Sequence, residues 1–256
     1  MTTVIPMESI EYTKEFIDSI ENGHEYKLII LIIASHNSHY DHFKDCWQKY
    51  MNIFPDVRSF FLYSDPTINY DIIVDNDSIT YRFEEWYEPG ILYKTIAGMN
   101  ICDKNFDYSY LLRTNLSSFI HIPRLLSFLE NQPTTQYVAA KQNLFREGIG
   151  FISGAGFIIS NDITKNILRH VIDENCISEE IRLQPDDVAI TNIIKRFHNN
   201  YFDTLERYDC ESLIDVSAIN EKIFHIRNKT EWIYNHREID MKNYTTLIQY
   251  FYNISA

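Results

Sequence analysis

The sequence predicts an α/β fold: a mostly parallel central sheet flanked by helices, three layers in all. Three observations carry this. The run Lys27-Leu28-Ile29-Ile30-Leu31-Ile32-Ile33-Ala34 is continuously apolar and β-branched, the pattern of a strand covered on both faces. Further strand-like runs recur at 57–63, 79–83, 108–113, 137–140, 157–160 and 224–227, separated for the most part by helical patterns. The 7 Gly and 7 Pro are scattered and mark no linker, so the 256 residues read as one domain.

Each element has its own local reason. Residues 8–21 place Ile10, Phe16, Ile17 and Ile20 at helical spacing, so residues 1–25 read as a helical N-terminal extension. After the apolar run, Ser35-His36-Asn37-Ser38 opens an aromatic-rich helix reaching about Tyr50. Pro89-Gly90 opens a helix with Ile91, Thr95, Ile96 and Met99, and Pro123 precedes one with Leu125 and Leu126. Residues 163–172 and 187–197 are helical by periodicity.

Charge and cysteine usage narrow the function classes. Asp+Glu number 36 against 23 Lys+Arg, a net charge of -13, and no basic run stands out. Such a chain repels phosphate backbones, which argues against nucleic acid as a partner and against a nuclease built on Asp186 and Asp187. Cys46, Cys102, Cys176 and Cys210 form no CxxC pair, so neither a zinc site nor a disulfide framework is implied. The first residues are polar and acidic without the apolar core of a signal peptide, and residues 28–34 are too few to cross a bilayer. The expectation is a cytoplasmic protein with no membrane span.

In a parallel sheet, ligands bind beyond the carboxyl ends of the strands, so the polar residues there are the candidates. Ser35, His36 and Asn37 follow the first buried strand and are suited to a ribose or base, or to capping the next helix. Arg113-Thr114-Asn115-Leu116-Ser117 follows the strand at 108–113. Gly154-Ala155-Gly156 precedes an apolar strand and allows close backbone approach. Pro185-Asp186-Asp187-Val188 heads a helix, where the two carboxylates either cap it or serve as a base. His225, Arg227 and Lys229 alternate along a late strand and would share one face as a basic comb suited to a diphosphate. GxGxxG and GxxxxGK are both missing, which counts against hydride transfer and Walker-type phosphoryl transfer.

Taken in order, several segments resemble the GT-A-fold glycosyltransferases. They are Glu85-Trp86-Tyr87-Glu88-Pro89-Gly90-Ile91 with Lys94-Thr95, the segment from Tyr110 to Phe119, the segment from Ile152 to Ser160, Pro185-Asp186-Asp187-Val188 and His225-Ile226-Arg227-Asn228-Lys229. The likeness is to small bacterial and giant-virus-type enzymes distantly similar to the Fringe and β-1,3-glycosyltransferase group. It spans residues 27–229. It implies a Rossmann-like GT-A fold and an inverting transfer of a sugar from a nucleotide sugar, UDP-linked by default, to a hydroxyl of a glycan or glycoprotein. It implies a nucleotide held on Ser35, His36 and Asn37, with Glu85, Lys94, Arg113, Asn115, Ser117, His225, Arg227 and Lys229 around the donor. Donor sugar and acceptor would meet near Gly154, Ala155 and Gly156, with Asp187 as general base and Asp186 beside it. The family's DxD, which holds Mn²⁺ or Mg²⁺, falls at Asn115-Leu116-Ser117, where both carboxylates are missing; hard cations want carboxylate oxygens. The literal Asp75-Asn76-Asp77 lies too early and reads as a turn. A chain that has lost its DxD also fits a catalytically degenerate protein that binds a sugar or a partner.

Overall fold

The computed structural model describes residues 7–20, 24–36, 38–144, 150–173, 177–199, 202–234 and 236–254. The elements run β1 (Ile10–Tyr12), α1 (Lys14–Ile20), β2 (Glu25–Ile33), α2 (Ser38–Gln48), β3 (Val57–Ser64), β4 (Ile72–Val74), β5 (Ser78–Tyr81) and α3 (Gly90–Asn105). There follow β6 (Asp107–Asn115), β7 (Ser118–Ile120), α4 (Ile122–Leu129), β8 (Val138–Leu144), β9 (Gly150–Ser160), α5 (Asn161–Leu168), α6 (Glu179–Arg182) and α7 (Asp186–Ile194). The last are β10 (Asp203–Thr204), β11 (Tyr208–Cys210), β12 (His225–Asn228), α8 (Glu231–Tyr234) and α9 (Glu238–Tyr252).

The unbroken apolar run of β2 has a direct cause. Ile29 and Leu31 face one hydrophobic core, while Leu28, Ile30 and Ile32 face the other. Alternation along a strand sends neighbours to opposite faces, so a strand covered on both sides must be apolar throughout. β3 divides in the same way, with Phe60 and Leu62 on the first face and Phe61 and Tyr63 on the second. The first core takes Phe16 of α1 and the apolar sides of α3, α5 and α7; the second takes those of α2, α4 and α9. The result is a helix–sheet–helix sandwich.

The large sheet has nine strands in the order β1-β4-β5-β3-β2-β6-β9-β8-β10. Five neighbouring pairs are parallel and three antiparallel, so the mostly parallel expectation holds. The antiparallel pairs are β4–β5, β6–β9 and β9–β8. A second sheet, β11-β12-β7, lies apart from the first.

Some expectations are corrected. Residues 8–21 are not one helix: Ile10–Tyr12 pair in parallel with Ile72–Val74, a short strand not anticipated. The Asp71 carboxylate accepts the Glu8 and Ser9 N–H groups at 3.1 and 3.0 Å, and this ties the segment to the sheet edge. The Thr13 hydroxyl then accepts the Phe16 N–H at 3.3 Å, which sets the start of α1. Gly154 and Gly156 lie inside β9, which is longer than its apolar half suggests. The late strand belongs to the small sheet, where it pairs antiparallel with β7.

Candidate functional site

A cleft of about 460 Å³ opens beyond the carboxyl ends of β2 and β6. Ile33, Ala34 and Ser35 come from the end of β2, and Arg113, Asn115, Leu116 and Ser117 from the end of β6. Ser153, Gly154 and Ala155 of β9, Asp186 and Asp187 of α7, and Arg227 of β12 also line it. Its volume is that of a small-ligand site.

Arg113 and Asp186 form its buried centre, at 3% and 5% exposure. One arm of the guanidinium donates to Asp186 Oδ2 and the other to the Gly154 carbonyl. Burial nevertheless raises the Asp186 carboxyl above its ordinary range, outweighing the pull of Arg113. Asp187 is less buried. Its Oδ2 accepts the Gly154 N–H and its Oδ1 the Val188 N–H, both at 2.9 Å. The carboxylate is thus held at the head of α7, where amide donors and the helix dipole favour negative charge. α7 is tied to β9 by Thr191, whose hydroxyl accepts the Ile152 N–H at 3.0 Å and donates to the Asp187 carbonyl at 2.6 Å.

The two glycines of β9 make room for this packing. A Cβ on Gly154 would lie 2.8 Å from Arg113 Nη1 and 3.0 Å from Asp187 Oδ2. A Cβ on Gly156 would lie 2.8 Å from His225 Nδ1. At 2.8 Å, the Arg113 and His225 contacts are closer than side-chain packing tolerates.

Lys94 is a support for the cleft wall. It is 1% exposed, and its ammonium donates to the Ala34 carbonyl at 2.8 Å and to the Glu85 oxygens at 2.7 and 2.9 Å. Burial lowers its pKa against the opposing effect of Glu85. Lys94 therefore fixes the turn after β2, and its charge is spent on Glu85.

The proposed comb does not form as one row of charges. His225 is buried, with Nε2 3.1 Å from the Ser118 hydroxyl, and burial depresses its pKa well below the usual imidazole range. Its ring is therefore neutral. Lys229 pairs with Glu211 at 2.5 Å and lies 4.0 Å from Asp209, outside the cleft lining. Arg227 does line the cleft. Alternation placed these residues correctly along the strand but could not reveal that the face they share is packed and partnered.

Three contributors were missed. Arg237 lines the cleft, paired with Glu231 at 2.5 Å and Asp240 at 3.3 Å, with its guanidinium 5.4 Å from the Tyr40 ring centroid. Arg207 donates to the Ser153 hydroxyl at 2.8 Å and pairs with Asp209 at 2.6 Å. Tyr87 lines the cleft beside Glu85. Tyr87 stood within a motif already singled out; Arg207 and Arg237 carried no signal, being isolated arginines in ordinary surroundings.

Ser35 lines the cleft, whereas His36 is exposed and stacks on Tyr63 at 4.4 Å between centroids with 7° between planes. Asn37 lies outside the described residues, as does Cys176. Asn115 and Ser117, where the resemblance would put a DxD, lie at and just beyond the end of β6. Asn115 Oδ1 accepts the hydroxyls of Ser117 at 3.0 Å and Ser118 at 3.1 Å, so this neutral oxygen is already engaged. With no carboxylate there, and Asp186 held by Arg113, the donor set does not fit Mn²⁺ or Mg²⁺. Among the described residues, no group of three or more His, Cys, Asp or Glu is arranged to hold a metal. Asp75-Asn76-Asp77 is the turn from β4 to β5, with Asp75 accepting from Thr13 at 3.0 Å and Asp77 from Gln48 at 2.7 Å.

No family model matches the chain, and no curated protein matches it. Among solved structures, the chain is similar to the glycosyltransferase GlyE of Streptococcus pneumoniae TIGR4, at 12% identity and a TM-score of 0.38. The match covers 72% of this chain and 46% of that one, so it spans under half the length of GlyE. Among the described residues, no helix is long and apolar enough to cross a membrane.

Proposed function

We propose that the chain is a GT-A-type glycosyltransferase, one catalytic unit acting in the cytoplasm on a nucleotide sugar and a glycan or glycoprotein acceptor. The observation that carries this reading is Asp187. It is a partly exposed carboxylate held by two backbone amides on the floor of a sheet-end cleft, with Arg227 and Arg237 in the same lining. Arg227 is near enough for the Asp187 charge to bear on it.

In the reaction, the acceptor hydroxyl oxygen forms a bond to the anomeric carbon while its proton passes to Asp187. The anomeric carbon–oxygen bond to the diphosphate breaks, and the electron pair leaves with the nucleoside diphosphate, UDP in the default case. Asp187 acts as general base and the stereochemistry inverts. Arg227 offsets the charge gathering on the leaving group, with Arg113 holding Asp186 and the Gly154 carbonyl in place. Ser35, Asn115 and Ser117 bound the donor side, and Gly154 and Ala155 the sugar. No step is assigned to a metal, because the donor set does not fit one.

The test is thermal unfolding with UDP, UDP-glucose, UDP-galactose and UDP-N-acetylglucosamine, with Mn²⁺ or with EDTA. A ligand at a hundred times its Kd stabilises by about 2.7 kcal/mol. At least one donor is expected to raise the midpoint and to do so in EDTA as well. If none does, the reading falls. The missing DxD carboxylates favour a second reading, a sugar- or partner-binding protein without catalysis. Donor binding without any transfer or donor hydrolysis would select it.

A further inference from the structure

The segment joining β5 to α3 carries two large aromatic side chains that bury little of their surface. Trp86 is 59% exposed and Tyr87 66%. The Trp86 indole is nevertheless anchored. Its Nε1–H donates to Glu84 Oε2 at 2.5 Å, and its backbone N–H donates to the Glu84 carbonyl at 2.8 Å. The polar edge of the ring is hydrogen-bonded while much of the ring stays open to solvent.

Tyr87 links this rim to the interior, since it lines the cleft together with Asp186 and Asp187. Local burial and then the charges of Asp187 and Asp186 raise its hydroxyl pKa. Trp86 is thus an exposed ring on the segment leading into the cleft, and the next residue, Tyr87, shares the lining with Asp187.

The surroundings decide what such a surface can receive. A sugar ring presents a face of C–H groups to an aromatic plane and an edge of hydroxyls to acceptors. Aromatic residues with a polar tip suit ligands that are apolar on one side and wet on the other. Glu84 and Glu88 are exposed on either side of the pair. They accept hydroxyl hydrogens but repel uronate, sulfate and phosphate. A nucleotide would also stack, yet its diphosphate would meet these carboxylates.

We propose that Trp86 and Tyr87 form the platform on which the acceptor docks, and that the acceptor is a neutral saccharide whose hydroxyl they direct toward Asp187. The direction toward Asp187 rests on its reading as the base; the saccharide platform itself does not.

The test titrates the intact chain with methyl β-galactoside, methyl β-glucoside, methyl β-N-acetylglucosaminide and, as a charged counterpart, methyl β-glucuronide. Binding is followed by saturation-transfer NMR. At least one neutral glycoside is expected to bind, with the glucuronide roughly tenfold weaker. Trp86→Ala is expected to weaken neutral binding by about tenfold or more, and Trp86→Phe by far less, given the energy of aromatic stacking. The unfolding midpoint of Trp86→Ala should stay near that of the unaltered chain, because the side chain is exposed. The proposal is overturned if no neutral glycoside binds, if Trp86→Ala binds it undiminished, or if the glucuronide binds equally well. UDP titrated into the unaltered chain reports on the donor reading alone. Glycoside binding without UDP binding keeps the platform and removes the transferase; the reverse keeps the donor site and removes the platform.

Discussion

Arg113→Met is the perturbation whose outcome is most constrained by the geometry. Arg113 is 3% exposed and holds Asp186, 5% exposed, together with the Gly154 carbonyl. Methionine fills much of the space but donates nothing. It leaves a buried carboxylate and a carbonyl without their partner. Breaking a buried ion pair from one side costs about 3–5 kcal/mol. In a chain of this size, each kcal/mol lowers the melting midpoint by about 2–4 °C, so the expected fall is about 6–20 °C. The pH dependence has a definite sign. Burial already raises the Asp186 carboxyl, and Arg113 is the largest influence lowering it. Its removal lets that pKa climb further. A carboxyl whose folded-state pKa lies above its unfolded value favours the folded state most at low pH, and that contribution is lost as pH rises through the folded pKa. The deficit of the variant should therefore shrink between pH 7 and pH 5. Arg113→Met combined with Asp186→Leu should recover most of the loss, since an apolar replacement of both partners is often near neutral. Chemical denaturation of the two variants and the unaltered chain at both pH values gives the answer. A loss under about 1 kcal/mol at pH 7, or a deficit that widens on acidification, would refute the assignment of a buried, paired carboxylate.

Three further expectations follow from the same packing. Gly156→Ala drives a Cβ into the buried His225 ring, and the shift it forces should cost about 1–3 kcal/mol; an unchanged unfolding curve would count against that contact. Asp187→Asn should retain nucleotide-dependent thermal stabilisation while transfer falls by about 10²–10⁴-fold, and near-normal turnover would remove Asp187 as the base. His225 stays neutral in the fold while the unfolded chain takes up its proton below about 6.5, so stability falls on acidification by up to about 1.4 kcal/mol per pH unit. Relative to the unaltered chain, His225→Gln should flatten that fall between pH 7.5 and pH 5.5, and equal slopes for the two would show that the ring is not held neutral.

The central strands were legible because their burial is written into local composition. β2 from Leu28 to Ile33 and β3 from Phe60 to Tyr63 are continuously apolar, since each faces two cores. The ends of β2 and β6 and the head of α7 were legible as a place for the same reason: strand ends are visible once strands are. Pairing was not. Nothing in Phe151 to Ser160 states that β9 runs antiparallel to β6, or that the late strand joins a separate sheet with β7, because such contacts join residues far apart in the chain. The role of each charge was the least legible feature. Lys94, Arg113 and Lys229 look alike as cations, and only their burial and partners separate a strut, a buried tie and a rim ion pair.

The small sheet has a consequence for the order in which the cleft is assembled. Ser35 and Arg113 precede Arg227 in the chain, and the strands β2 and β6 that lead to them pair with each other. Arg227 sits on β12, which must find β7 across more than a hundred intervening residues, and Arg237 follows it. A nascent or truncated chain ending before β12 would hold the carboxylates Asp186 and Asp187 without these two arginines. Until β12 and the segment after it dock, the cleft keeps the paired Arg113 and Asp186 but lacks the cations that this later part of the chain brings to its lining.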